Sequence, residues 1–215
     1  MSLMTPVMPG VWRWATPDPE DDWMMVAHLL ETGSGVVLVD PPLVPGLAAA
    51  MDVLGGVAAI VLTTADHTRG ARWLSTRFDC PVHVPVQGDR ERLQRGGVTS
   101  PVFYEDGEML PGGLTAVRCR VPEPVWTSDG SYIDEMMLVT AAGAVLTGDV
   151  VLGTEAGGLL AAPEGFTDDP KPETARQSLD AFRTALPSGA HTLLASHGAD
   201  LVGTLELALA QRTAG

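Results

Sequence analysis

Lysine is nearly missing from this chain of 215 residues: Lys171 stands alone, and arginine supplies the rest of the 13 basic side chains. Against them stand 27 acidic side chains, giving a formal net charge of -14. A surface of that sign repels phosphate backbones and anionic membranes, so neither nucleic acid nor a membrane is expected as a partner. The arginines are scattered apart from Arg90, Arg92 and Arg95, which read as one solvated helix face. Cysteine is scarce too. Cys80 and Cys119 have no Cys-x-x-Cys spacing, which excludes a disulfide framework and a zinc knuckle and leaves two small buried hydrophobes. No apolar run approaches the roughly 20 residues that cross a bilayer. The first residues lack the basic patch and long apolar stretch of a secretory signal, so the expected compartment is the cytoplasm. Gly-x-Ser-x-Gly is absent, and neither a Walker A loop nor Gly-x-Gly-x-x-Gly follows a strand. A serine-hydrolase elbow and a nucleotide phosphate cradle are therefore unsupported.

What is present is a strand-and-helix rhythm in a chain of a length that suits one domain, 1–215. Residues 10–16 and 22–30 read as strands of an opening antiparallel meander around the acidic turn Pro17-Asp18-Pro19-Glu20-Asp21. Val36-Val37-Leu38-Val39 is a continuous apolar run, expected for a strand buried on both faces, and Asp40-Pro41-Pro42 ends it. A short helix over 47–54, a buried strand over 57–63, a helix carrying Ala71, Leu74 and Phe78, and a strand at 82–84 follow. From Phe103 to Asp149 the pattern turns to short strands, at 115–121, 136–140 and 144–147. Helices over 173–186 and 201–211, with a strand over 191–195 between them, close the chain. The stretch from Pro122 to Asp134 is the longest irregular one. The fold class this implies is α/β, with mixed sheets inside and helices outside.

Chemistry gathers at strand ends. The run Ile60-Val61-Leu62-Thr63-Thr64-Ala65-Asp66-His67 empties an apolar strand into an Asp-His pair, Leu146-Thr147-Gly148 delivers Asp149, and Leu194-Ala195-Ser196 delivers His197. Neighbouring strand ends share one rim of a sheet, so such residues can converge on one ion. Two imidazoles and two carboxylates suit Zn, Fe or Mn, and three such ligands plus a water make a hydrolytic centre. Each has an ordinary alternative: Asp66 as a helix cap, Asp149 closing a turn, the histidines as plain hydrogen-bonded side chains. His28, His83 and His191 are read as structural. Trp12, Trp14 and Trp23 on the opening strands could line a substrate edge, while core packing or a homodimer contact is the commoner use.

The order of Val37-Leu38-Val39-Asp40, Leu62-Thr63-Thr64-Ala65-Asp66-His67, Leu146-Thr147-Gly148-Asp149 and Ser196-His197-Gly198 resembles the metallo-β-lactamase fold superfamily over nearly the whole chain. Gly107-Glu108 and Leu110-Pro111-Gly112-Gly113 resemble the strands before that family's third histidine. The resemblance implies an αββα sandwich of two mixed β-sheets with outer helices and metals on one edge. Its members include glyoxalase II-like thioesterases, lactonases, phosphodiesterases and β-lactamases. The chain also departs from the pattern. Of the family's His-x-His-x-Asp-His loop only Asp66 and His67 remain, Thr63 and Thr64 lie where imidazoles belong, and two positions are missing. No histidine falls between Pro122 and Glu135, where the family has Gly-His, so the first metal position is gone.

What the resemblance carries over is the second metal position: Asp66, His67 and His197 as ligands, with Asp149 as the carboxylate that would otherwise bridge two metals. Asp40 then falls at an orienting or structural acid, and Asp129, Asp134 and Glu135 are candidates to replace a lost ligand. The resulting expectation is a hydrolase-like protein with one divalent ion, zinc first and iron or manganese as alternatives. Asp149 or Asp66 would orient the attacking water or accept its proton, and the substrate is a small ester, thioester, lactone or phosphoester. The alternative is a degenerate, non-catalytic member without metal that binds a small ligand or a partner.

Overall fold

The computed structural model describes residues 3–19, 23–121, 134–166, 168 and 170–213. Chain order runs β1 (Thr5–Met8), β2 (Val11–Pro17), β3 (Met24–Thr32), β4 (Gly35–Val39), α1 (Leu47–Val53), β5 (Val57–Val61), α2 (Ala71–Phe78), β6 (Val82–Pro85), α3 (Arg90–Arg95) and β7 (Val102–Tyr104). It continues with β8 (Met109–Leu110), β9 (Leu114–Arg120), β10 (Asp134–Val139), β11 (Ala144–Thr147), β12 (Val151–Gly153), β13 (Leu159–Ala161), α4 (Pro172–Ala185), β14 (Thr192–Ala195) and α5 (Leu205–Thr213). Strands β1 to β7 form one sheet in sequence order, antiparallel up to β4 and parallel from β4 to β7. The second sheet runs β14-β11-β10-β9-β8, antiparallel except for the parallel pair of β11 and β14.

Alternation along the strands builds the layers. In β4, Val37 and Val39 face the second sheet and meet Leu114, Met136, Leu138 and Leu146 in a core between the sheets. Val36 and Leu38 face the other way, onto Leu47 and Met51 of α1 and Ala71 and Leu74 of α2. The outer face of the second sheet is covered by Leu179 and Phe182 of α4 and Leu205 and Ala208 of α5. Helices, sheet, sheet and helices thus stack as the expected αββα sandwich, and both sheets are mixed.

Two differences from the sequence reading have local causes. The short strands β1, β7, β8 and the hairpin of β12 with β13 carry too few residues for a period to show. Residues 201–203 do not open the last helix: Leu201 and Leu193 exchange backbone bonds of 2.9 and 3.1 Å, so that stretch is committed to the edge of β14. Trp14 is a core residue, 3% exposed, with Nε1 donating to the Pro42 carbonyl at 3.0 Å. Asp129 and most of the long irregular stretch lie outside the described residues, and Asp134 opens β10. Among the described residues no helix is long and apolar enough to cross a membrane.

The chain's parallel pairs decide where the site lies. Strands β4 and β5 run side by side in one sheet, β11 and β14 in the other, and their C-terminal ends meet at one rim. Two backbone bonds clamp the sheets there, Met136 N to Thr63 O at 2.9 Å and Val26 N to Ser196 O at 2.8 Å. Phe182 is fully buried in the layer that supports β14. Phe182→Ala should lower unfolding free energy by roughly 3–5 kcal/mol, whereas Gln94→Ala on exposed α3 should stay within about 0.5 kcal/mol. Urea midpoints at constant slope check both.

Candidate metal centre

The β4 strand ends in Asp40, whose backbone is turned to φ 48° and whose side chain is fully buried. Buried carboxylates need donors, and Asp40 has them from two directions. Thr63, just past β5, donates its backbone N–H to Oδ1 at 2.9 Å and its hydroxyl to Oδ2 at 2.6 Å. Ser196, just past β14, donates its hydroxyl to Oδ2 at 2.5 Å, and His67 Nδ1 lies 3.0 Å from the same oxygen. Burial opposes the charge on Asp40, but His67, Arg69 and Ser196 together hold its carboxyl below the usual range.

After Thr63 the chain makes one turn of 3-10 helix, Ala65–Thr68, capped by Thr64 Oγ1 accepting from Asp66 N at 3.4 Å. That turn separates the two neighbours of the motif. His67 points inward and is 4% exposed, whereas the Asp66 side chain is 43% exposed and pairs with Arg92 of α3. Asp66 therefore stands apart from the other expected ligands, held outward by an arginine, and the cap is Thr64 instead.

His67, Asp149 and His197 do come together, with ligand atoms all within 4.8 Å of one another. His67 Nε2 is 3.2 Å and His197 Nε2 3.5 Å from Asp149 Oδ1. Glu135 positions Asp149: its carboxylate accepts from the backbone N–H groups of Gly148, Asp149 and Val150 at 2.8, 2.6 and 2.8 Å. Gly148 has to be glycine here, since a Cβ would lie 2.7 Å from Thr63 Oγ1 and 3.1 Å from Glu135 Oε2. Glu135 was a candidate ligand by sequence, but the structure gives its oxygens to this backbone nest.

The residue the sequence reading missed is Arg69. Its NH1 donates to the carbonyls of Val26 and Asp40, each at 3.0 Å, and its NH2 reaches Ser196 O at 3.5 Å and His197 Nε2 at 2.9 Å. A guanidinium only donates, so His197 Nε2 accepts and its Nδ1–H donates to the Met24 carbonyl at 2.9 Å. The one signal in the sequence was a basic residue directly before a glycine in the strand-end loop. Trp23 and Phe166 close over the ring of His197, each with its ring centroid 5.8 Å away, and stack edge-on at 4.6 Å. Of Trp12, Trp14 and Trp23, Trp23 is thus the one at the site; Trp12 bonds Glu31 at 2.8 Å. His28 pairs with Asp200 at 3.0 Å and His191 with Thr192 at 2.9 Å, away from the cluster.

Two carboxylates in this buried space face the cations Arg69 and His67. Burial is the largest influence on His67 and works against its charge, as does Arg69, yet Asp149 and Asp40 outweigh both and hold its pKa up to about 9. Burial, with His67 and Arg69, pushes His197 down to about 4, so it is neutral. Asp149 is held far below the carboxylate range by His67, His197 and Arg69 in spite of burial. Burial first and Asp149 second raise Glu135 to about 7, against the three N–H groups.

A divalent ion fits this donor set. Two imidazoles and a carboxylate leave an open position on a four-coordinate ion, the arrangement of catalytic rather than structural zinc. The two spacings from Asp149 Oδ1, 3.2 and 3.5 Å, match edges of a tetrahedron with zinc bonds of about 2.1 Å, while the three ligand atoms as a set lie within 4.8 Å. Asp149 Oδ1 is buried and receives no donor from outside the cluster: its neighbours are the two imidazoles, at 3.2 and 3.5 Å.

The titrations give a signed pH dependence for chelator-treated protein. His67, raised from 6.5 to about 9, stabilises the fold fully below pH 6.5, and that stability is lost as pH rises toward 9. Glu135, raised from 4.5 to about 7, adds a loss in the same direction between those values. His197, lowered from 6.5 to about 4, adds an opposing gain between those values. Unfolding free energy should therefore stay nearly level from pH 5 to about 6.5 and fall from there to about pH 9, and Glu135→Gln should turn the level part into a rise. Urea melts across that range check it; a flat profile in the parent protein would contradict the charge assignment.

Neither a protein-family model nor a functionally curated protein matches this sequence. Solved structures do. A metallo-β-lactamase from Hirschia baltica superposes with a TM-score of 0.66 at 16% identity, over 96% of this chain and 94% of that one. The metallo-β-lactamase FIM-1 from Pseudomonas aeruginosa, in a mono-zinc form, gives 0.62 at 16% identity over 98% and 95%. A metallo-β-lactamase family protein from Thermus thermophilus gives 0.61 at 17% identity over 96% and 80%. These likenesses show a shared fold, and the His67–Asp149–His197 cluster is a group that could hold a metal ion. The chain carries the metallo-β-lactamase fold, in a divergent form.

Proposed function

We propose that this protein is a hydrolase-like enzyme that takes one divalent ion, zinc first and iron or manganese as alternatives, on His67, Asp149 and His197. The observation that carries the reading is the convergence of His67, Asp149 and His197 on one point of the rim, with Asp149 Oδ1 facing both imidazoles. An ion bound there supplies an activated water and polarises a carbonyl or phosphoryl oxygen. The residues supply the rest. Asp40, held by Thr63 and Ser196, fixes the ring of His67 through Nδ1 and leaves Nε2 facing the cluster. Glu135 fixes the backbone of Asp149, and Asp149 orients the attacking water or takes its proton. Asp66 is excluded from that role by its outward pairing with Arg92. Trp23 and Phe166 shield the site from bulk water, which strengthens the electrostatics inside. The substrate is a small ester, thioester, lactone or phosphoester.

A second reading has its own observation. Asp40 and Asp149 are already balanced by Arg69 and protonated His67, so the site is electrically complete without an ion. That favours a non-catalytic protein whose rim holds a ligand or partner.

Thermal melts separate the two. Under the first reading, zinc at about 100 times its dissociation constant stabilises the fold by ~2.7 kcal/mol and EDTA reverses this. His67→Ala with His197→Ala abolishes both that shift and hydrolysis of small esters and phosphoesters. Melts indifferent to zinc, iron, manganese and EDTA would support the second reading, and ester hydrolysis surviving in the double variant would sink the first.

A further inference from the structure

Neutral His197 has one lone pair to offer. Its Nδ1–H is engaged by the Met24 carbonyl at 2.9 Å, so the lone pair sits on Nε2, where Arg69 NH2 lies 2.9 Å away. One lone pair serves one acceptor contact of that kind: a guanidinium N–H or a metal ion, not both. We propose that Arg69 is a resident cation that locks the site, and that a divalent ion gains His197 as a ligand only when the guanidinium withdraws.

The lock is built rather than incidental. Four N–H directions of Arg69 are used: Val26 O, Asp40 O, Ser196 O and His197 Nε2. Three of these partners are backbone carbonyls from three separate segments, so the guanidinium keeps its place without help from His197. The backbone shows the same bias. Gly70 N is bonded to Pro41 O at 2.9 Å, and a Cβ at Gly70 would lie 2.8 Å from that oxygen, so the chain is pinned immediately after Arg69. Arg69 takes up the resulting kink at φ 33° and ψ -113°, a conformation an L residue holds only when its surroundings impose it. A metal therefore binds an open form that is a minor part of the resting ensemble, and its apparent affinity falls by that fraction.

The inference rests on the metal reading, and the experiment keeps the two apart. Zinc affinity is measured by competition with a chromogenic chelator for the full chain and for Arg69→Gln and Arg69→Gly, folding being checked by near-ultraviolet dichroism. Glycine relieves the kink, so it folds where glutamine does not. The 15N resonance of His197 Nε2 is followed in the same samples. Both variants should bind zinc at least about tenfold more tightly, ~1.4 kcal/mol, and the Nε2 resonance should move on substitution before zinc is added. Equal affinities overturn the lock and leave the metal reading standing. So does a tenfold gain with an unmoved Nε2 resonance, which reports only the loss of a distant charge. Zinc uptake by none of the three removes the metal reading and the lock with it.

Discussion

A single buried carboxylate, that of Asp40, joins the two sheets at the rim where all the chemistry is found. It accepts from Thr63 at the end of β5, from Ser196 at the end of β14 and faces His67 Nδ1 across 3.0 Å. Taking such a charge out of water is costly unless every lone pair finds a donor. Here the donors come from loops that would otherwise have no reason to meet. Asp40 also sits at positive φ, which turns the chain out of the parallel strand while keeping the side chain under the rim. The orientation of His67, the seating of the His197 loop and the proximity of Arg69 to both follow from that one group.

The charge pattern inside the rim distinguishes this chain from a bare metal cluster. Asp149 and Asp40 pull toward positive charge; His67 and Arg69 supply it from the protein itself. An incoming ion must therefore take the place of a proton on His67 and of a guanidinium contact at His197, and each exchange lowers the net gain from binding. The same balance explains how the chain keeps the Asp40 and Asp149 carboxylates at the rim with few histidines around them. Arginine, unlike lysine, offers enough fixed donors to satisfy three carbonyls and a ring nitrogen at once.

The fold was largely legible because hydrophobic period and length reported it directly. The unbroken run Val36 to Val39 marked a strand buried on both faces, and it lies between the two cores of the sandwich. Ala71, Leu74 and Phe78 marked α2, and Leu179 and Phe182 marked α4. Strand ends told where to look, and His67, Asp149 and His197 were visible as residues delivered there. Sequence adjacency misled at Asp66, since one turn of 3-10 helix sends neighbouring side chains to opposite sides and Arg92, from a different element, captures the outward one. Arg69 escaped notice for the opposite reason. Its role depends on carbonyls at Val26, Asp40 and Ser196, which carry no side-chain signature and are brought to it only by the sheet topology. Glu135 was seen as an acid near the site, but its three partners are backbone N–H groups, equally silent in a sequence.

The most direct test of a metal centre at this rim is anomalous diffraction at the zinc edge from crystals soaked in zinc. A single peak in contact with His67 Nε2, an Asp149 oxygen and His197 Nε2, with the Arg69 guanidinium displaced from His197, is the expected result. No peak at the rim, or a peak there with Arg69 still bonded to His197, would contradict the metal assignment as built from these residues.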